Sequence, residues 1–98
     1  MIDVATYIKL ILQKKNWSNQ KLCDELNKIE EKLGGSRTSK QNISNYLNGQ
    51  WSFRPKVLAK YEVALGLAEG TLIKMVAPPL TKESQKELEE IIKKVRGR

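Results

Sequence analysis

Apolar residues recur every three or four positions along most of the chain, and this period predicts an all-α protein. The alternation that a half-buried strand requires is not found over any length, and there is no internal repeat or low-complexity tract. Together with capping and stop residues, such as the caps Asp3 and Ser18 and the helix stop Gly34, the pattern predicts six helical segments. They are 3–15, 19–33, 38–48, one from Pro55 to just before Gly66, 69–76 and 81–96.

The third segment has two unlike faces. One is apolar, with Ile43, Tyr46 and Leu47, and Thr38 or Ser39 can cap its start. The other face holds amides, hydroxyls and one ammonium but no carboxylate: Lys40, Gln41, Ser44 and Asn45. Amides and hydroxyls both donate and accept hydrogen bonds, which suits contact with base edges in a DNA major groove. An ordinary polar surface helix is the alternative interpretation.

Two later regions leave alternatives open. In the loop after the third segment, at least one of Trp51 and Phe53 is expected to pack on the core, and the other to contact a DNA strand or a second subunit. Residues 78–98 follow the domain 1–77 as an amphipathic helix with a narrow apolar stripe. This helix either folds back on the domain or pairs with another copy of the chain.

Composition narrows the classes of function. The 98 residues correspond to one domain and include no histidine and a single cysteine, Cys23, which is interpreted as a core residue. An intrachain disulfide is therefore impossible, and no metal site, cofactor or enzyme activity is expected. No apolar run reaches the roughly 18 residues that span a bilayer, and a signal peptide is not indicated, so a cytoplasmic, nucleoid-associated protein is expected.

The net charge of +7 is unevenly distributed. Between Lys32 and Lys60 there is no aspartate or glutamate, and this acid-free window contains the whole third segment. Its cations are Lys32, Arg37, Lys40, Arg54, Lys56 and Lys60. A surface that binds a polyphosphate must lack carboxylates, which would repel the backbone, so the window favours a nucleic-acid partner. A chance cluster in a lysine-rich protein is the alternative.

The order and spacing of three stretches resemble the lambda-repressor-like helix-turn-helix domains of phage and bacterial regulators, the Cro/CI type. The stretches are Ser18 to Cys23, Lys40 to Gly49, and Arg54 to Leu67, and the resemblance covers about residues 4–76. It implies a five-helix DNA-binding domain, here with an extra C-terminal helix. One departure is that the second helix is longer by about two turns, and the connection to the third helix is longer than the usual tight turn.

The resemblance also implies roles for individual residues. The residues at base-reading positions are Lys40, Gln41, Ser44 and Asn45. Those at positions that contact the DNA backbone or the minor groove are Asn19, Asn42, Asn48, Arg54 and Lys56, and Asn42 is also beside the bases. The long connection adds Arg37, which we expect to contact a phosphate because of its charge and its place just before the third helix.

These expectations describe a transcriptional regulator, a repressor, that binds double-stranded DNA as a homodimer on a pseudo-palindromic operator. The alternative is a protein-interaction module, such as an antitoxin, inhibitor or adaptor, in which Trp51, Phe53 and the last helix form the contact. RNA binding is less favoured because aromatic stacking platforms are sparse. No membrane partner and no small-molecule ligand are expected.

Overall fold

The computed structural model describes residues 3–75 and 82–97, without the side chains of residues 83 and 84. Its regular structure is five α-helices and one 3₁₀ turn, and no strand occurs in those residues. The elements are α1 (Val4–Lys15), α2 (Asn19–Leu33), α3 (Lys40–Leu47), α4 (Pro55–Leu65), the 3₁₀ turn (Ile73–Met75) and α5 (Lys82–Arg96). The predicted all-α class is confirmed.

The boundaries of α1 and α2 lie at the predicted capping residues. The Asp3 carboxylate accepts from the Thr6 N–H at 2.7 Å, and Ser18 Oγ accepts from the Lys21 N–H at 3.2 Å. Each bond pairs a backbone donor that has no partner inside the helix. α2 ends at Gly34, whose φ of 70° is a left-handed conformation without steric cost for glycine.

A single hydrophobic core lies around α2. This helix packs against α3, α4 and α5, while α1 packs against α3. The largest fully buried apolar side chains come from every part of the chain before residue 75: Ile8, Leu22, Ile43, Leu58, Leu65 and Leu72. Burial of one such side chain stabilises a fold by about 1.5–3 kcal/mol, so α3 is held by its apolar face and its polar face is left outside.

α5 lies back on the domain, against α4 and α2. Leu88 is buried, Val95 packs on the core, and Arg96 Nη2 donates to the Leu67 carbonyl at 3.2 Å. Of the two dispositions expected for this helix, the single chain adopts the folded-back one, and pairing between copies stays a prediction. The end of the predicted segment 69–76 and the start of the predicted segment 81–96 lie outside the described residues.

The helix predicted over 69–76 is wrong, since its described part contains only turns and the 3₁₀ turn. The reason is Glu62 on α4, which is 1% exposed. Its carboxylate accepts from the backbone N–H groups of Gly70 at 2.9 Å, Leu72 at 2.7 Å and Ile73 at 3.1 Å. These bonds replace the helical ones, and the φ of 90° at Gly70 is incompatible with a helix.

Candidate nucleic-acid interface

α3 turns a polar face to the solvent. The helix begins after Ser39, whose Oγ accepts from the Asn42 N–H at 3.2 Å, so Ser39 is the cap of the two that were predicted. The helix is accordingly shorter than the predicted 38–48. Ile43 and Leu47 are buried, and the residues on the opposite side of the helix are therefore directed outward.

Gln41 and Asn45 lie one turn apart on this outward face, as the sequence period predicts. Gln41 is exposed and Asn45 is half-buried, and Gln41 Nε2 donates to Asn45 Oδ1 at 2.9 Å. Within the described residues, Gln41 Oε1 and Asn45 Nδ2 have no further hydrogen bond. One acceptor on Gln41 and one donor on Asn45 therefore remain without a partner in the described residues, and an acceptor with a donor is the combination that pairs with a base edge such as that of adenine.

One flank of α3 borders a hollow of about 340 Å³ between α1, the start of α2 and α3, which we call the α1-side hollow. Asn48 Nδ2 donates to Ser44 Oγ at 3.0 Å within it. The structure thus brings Asn19 near Ser44 and Asn48, two predicted contact residues that are distant from it in sequence. The polar side chains that line the hollow are Lys9, Gln13, Ser18, Asn19, Ser44 and Asn48.

The other flank of α3 borders a second hollow of about 220 Å³, the α4-side hollow, between α2, α3 and α4. Arg37 and Asn42 both line it, so these two predicted contact residues are also neighbours. Trp51, which is 43% exposed, forms part of the rim. Lys60 lines the floor with Glu30, and their side chains form an ion pair at 2.6 Å.

Arg54 and Lys56 occupy a different place. Both are exposed, and they line a hollow with Pro55 and with Glu87 of α5. Neither lines the two hollows that border α3. The structure therefore does not group Arg54 and Lys56 with the other predicted contact residues, and it sets a carboxylate beside them.

The acid-free window of the sequence is only partly acid-free in space. Glu30 neutralises Lys60, and Glu87 lies beside Arg54 and Lys56. Arg37 and Lys40, at the start of α3, are exposed and form no ion pair with any carboxylate in the described part of the chain. Within the acid-free window, Arg37 and Lys40 therefore keep uncompensated positive charge at the N-terminal end of α3.

An aromatic cluster supports the other end of α3. Phe53 is half-buried and stacks on Tyr46 with ring centroids 4.8 Å apart, and Tyr61 contacts both rings edge to face. Burial is the main cause that raises the pKa of the Tyr61 phenol, with smaller effects of Tyr46 and Cys23. Phe53 is therefore the loop aromatic that packs inward, as was expected of at least one, while Trp51 stays at the surface.

Sequence reasoning missed Asn27, a buried side chain of α2 that is 6% exposed. Its Oδ1 accepts from the Thr38 N–H at 2.7 Å, and its Nδ2 donates to the Thr38 carbonyl at 3.3 Å. The available signal was helical spacing, since Asn27 follows the core residue Cys23 by four positions and so lies on the buried face. An amide at such a position requires a partner.

Metal-binding groups and membrane-spanning helices do not occur in the described residues. Among residues 3–75 and 82–97, no group of three or more His, Cys, Asp or Glu side chains is arranged to hold a metal ion. No helix in the same residues has the length and hydrophobicity that crossing a bilayer requires. Comparison of the chain with protein-family models, with curated proteins and with solved structures gave no match.

Proposed function

We propose that this protein is a sequence-specific, double-stranded DNA-binding transcriptional regulator, a repressor of helix-turn-helix type. The observation that carries the proposal is the outward, hydrogen-bonded pair Gln41 and Asn45, which leaves one acceptor and one donor unpaired in the described residues. Amide side chains in a major groove distinguish bases by paired hydrogen bonds of this kind. In this proposal α3 enters the groove.

The two hollows beside α3 support the same orientation. A helix in a major groove lies between two phosphodiester strands, so its two flanks both need groups that bind phosphate. Asn19 and Asn48 line the α1-side hollow, and Arg37 and Asn42 line the α4-side hollow. The uncompensated charges of Arg37 and Lys40 supply attraction for the backbone without regard to sequence.

Arg54 and Lys56 take a secondary role in this proposal. Arg54 and Lys56 lie outside the two hollows that border α3, and Glu87 lies beside them. Both features weaken the attraction of these two cations for the DNA strands on either side of α3. They contribute to long-range attraction for DNA and contact backbone further along the duplex. A dimer would bring two copies of α3 to half-sites about one helical turn, or about 34 Å, apart.

Selection from a random pool of duplex DNA tests the proposal. We expect the wild-type protein to enrich one motif with two-fold symmetry. Gln41→Ala and Asn45→Ala should each lower discrimination between that motif and its variants by about 1–3 kcal/mol and leave affinity for random duplex nearly unchanged. Gln85→Ala, the removal of an exposed amide on α5, is the matched control. A wild-type protein that enriches nothing would refute the proposal.

The second candidate is a protein-interaction module. Fewer of the residues expected to form its contact surface are available, because Phe53 is packed in the aromatic cluster and α5 lies on the domain. Trp51 at 43% exposure and Leu10 at 46% remain as large exposed apolar side chains. Retention on random duplex or heparin at low salt, lost at moderate salt, favours the regulator, since an interaction module has no need of it.

A further inference from the structure

The connection from α2 to α3 is long, and one residue of α2 holds its end. Residues 35–39 run from the end of α2 to the start of α3 without regular structure. Thr38 is the point of attachment, because both of its backbone polar groups bond to the side chain of Asn27, at 2.7 Å and 3.3 Å. Cys23 Sγ also lies 3.6 Å from the Thr38 carbonyl oxygen.

We propose that Asn27 is the positioning residue that sets the orientation of α3 on α2. A tight turn between two helices fixes their angle through its own backbone, whereas a longer loop leaves that angle undetermined. The amide of Asn27 supplies the missing constraint, since it both donates to and accepts from one residue and so defines its position and its direction.

The constraint passes directly into α3. Thr38 lies one residue before the cap Ser39, and Thr38 Oγ1 accepts from Asn42 Nδ2 at 3.5 Å. Arg37 precedes Thr38, so the same bonds determine where this cation stands beside the α4-side hollow. Asn27 thereby positions the residues of α3 and Arg37 without touching a ligand itself.

The expected effect of Asn27 on DNA binding rests on the proposed function, whereas its expected effect on the orientation of α3 does not. Residual dipolar couplings of backbone N–H groups in α3, fitted together with those of α4, measure that orientation in the free protein. In Asn27→Leu we expect the α3 couplings to depart from the wild-type fit and the Thr38 amide to exchange about ten- to hundredfold faster. Ile29→Val, which alters the buried face of α2 away from Thr38, should retain the wild-type fit.

Asn27→Asp separates positioning from mere packing. A protonated carboxyl both donates and accepts, as the amide does, whereas the ionised form only accepts. The α3 couplings of this variant should therefore match the wild type in acid and depart from it as the pH rises from about 4 to 7. The α3 couplings of the wild-type protein should stay constant over the same pH range. Cys23, a titratable side chain that accepts a hydrogen bond from Asn27, is common to both proteins.

On DNA, the ratio of affinity for the selected site to affinity for random duplex should fall about tenfold or more in Asn27→Leu and stay near wild type in Ile29→Val. Unchanged α3 couplings in folded Asn27→Leu would overturn the positioning role. If Asn27→Leu does not fold, α3 couplings of Asn27→Asp that do not change with pH would overturn the positioning role instead. Altered couplings with a wild-type protein that selects no site would refute only the proposed function.

Discussion

The two ends of α3 are attached to the rest of the molecule by different kinds of contact. At the N-terminal end, Asn27 forms two hydrogen bonds with the backbone of Thr38. At the C-terminal end, Tyr46 stacks on Phe53 and meets Tyr61 edge to face, with ring centroids 4.8 Å and 6.2 Å away. The first attachment is polar and involves a few atoms. The second is apolar and spreads over four rings, since Trp51 also meets Tyr46 edge to face at 5.2 Å.

This difference separates stability from orientation. Burial of aromatic surface is roughly proportional to area and depends weakly on direction, so the cluster mainly contributes free energy of folding. A hydrogen bond is weakened by a small change of angle, and its net contribution to stability is about 1 kcal/mol. The aromatic end should therefore determine whether α3 stays docked, and the polar end the direction in which it points.

The largest expected effect is on the aromatic end. Phe53→Ala removes the ring that stacks on Tyr46 and should lower the free energy of unfolding by about 2–3 kcal/mol. Urea denaturation followed by circular dichroism measures this. Leu10→Ala on α1 is the control, since Leu10 is 46% exposed and lies outside the aromatic cluster, and it should cost about 1 kcal/mol or less. Equal losses in the two variants would contradict the role assigned to the cluster.

The polar end should respond less in stability. Asn27→Leu leaves the Thr38 N–H without its partner and the Thr38 carbonyl with only the weak thiol donor of Cys23, and it should lower the free energy of unfolding by about 2 kcal/mol or less. The same urea titration measures it. A loss greater than that of Phe53→Ala would show that the polar end dominates stability, and the contrast between the two ends would then fail.

Two cations, Arg37 and Lys56, provide a further contrast. Arg37→Ala, near the polar end, should reduce the slope of log affinity for random duplex against log salt by about 0.9, one phosphate contact. Lys56→Ala should reduce it less, because Glu87 lies beside Lys56. Glu87→Gln should raise affinity for every duplex slightly. Filter binding over a range of salt measures all three, and a larger reduction for Lys56→Ala would reverse the assignment.

The smallest expected effect is a loss of folding stability at alkaline pH. Burial raises the folded-state pKa of Tyr61, so its contribution to stability is complete below the unfolded pKa of about 10 and is lost as pH rises above it. At pH 10 the loss from this one group should be about 0.4 kcal/mol. Urea titrations at pH 8 and pH 10 should show that Tyr61→Phe loses less stability than the wild type between them. An identical loss would exclude Tyr61 as its source.

Helix boundaries were predictable wherever they depend on neighbouring residues. Asp3, Ser18 and Gly34 act within one turn of the positions they bond, so the sequence places them correctly. The segment 69–76 failed because its backbone donors bond to Glu62, on the preceding helix. Periodicity detects apolar faces, but it does not reveal a buried carboxylate that competes for backbone N–H groups.

The candidate site likewise combines features that the sequence predicts with features that depend on helix packing. The outward direction of Gln41 and Asn45 follows from helical period alone, because Ile43 and Leu47 are apolar and the two amides face away from them. The grouping of Asn19 with Ser44 and Asn48, and of Arg37 with Asn42, required the packing of α1, α2 and α4 around α3. The same packing placed Arg54 and Lys56 beside α5 instead.

Local patterns along the chain suffice to predict an all-α protein, the ends of its first two helices and the outward face of α3, because each depends on contacts within about one helical turn. The pairing of charges and the attachment of α3 depend instead on how the helices pack together. Lys60 meets Glu30 from another helix, and Thr38 meets Asn27 eleven positions earlier. Such pairs form where helices cross, and the crossing is a property of the folded chain rather than of any one segment.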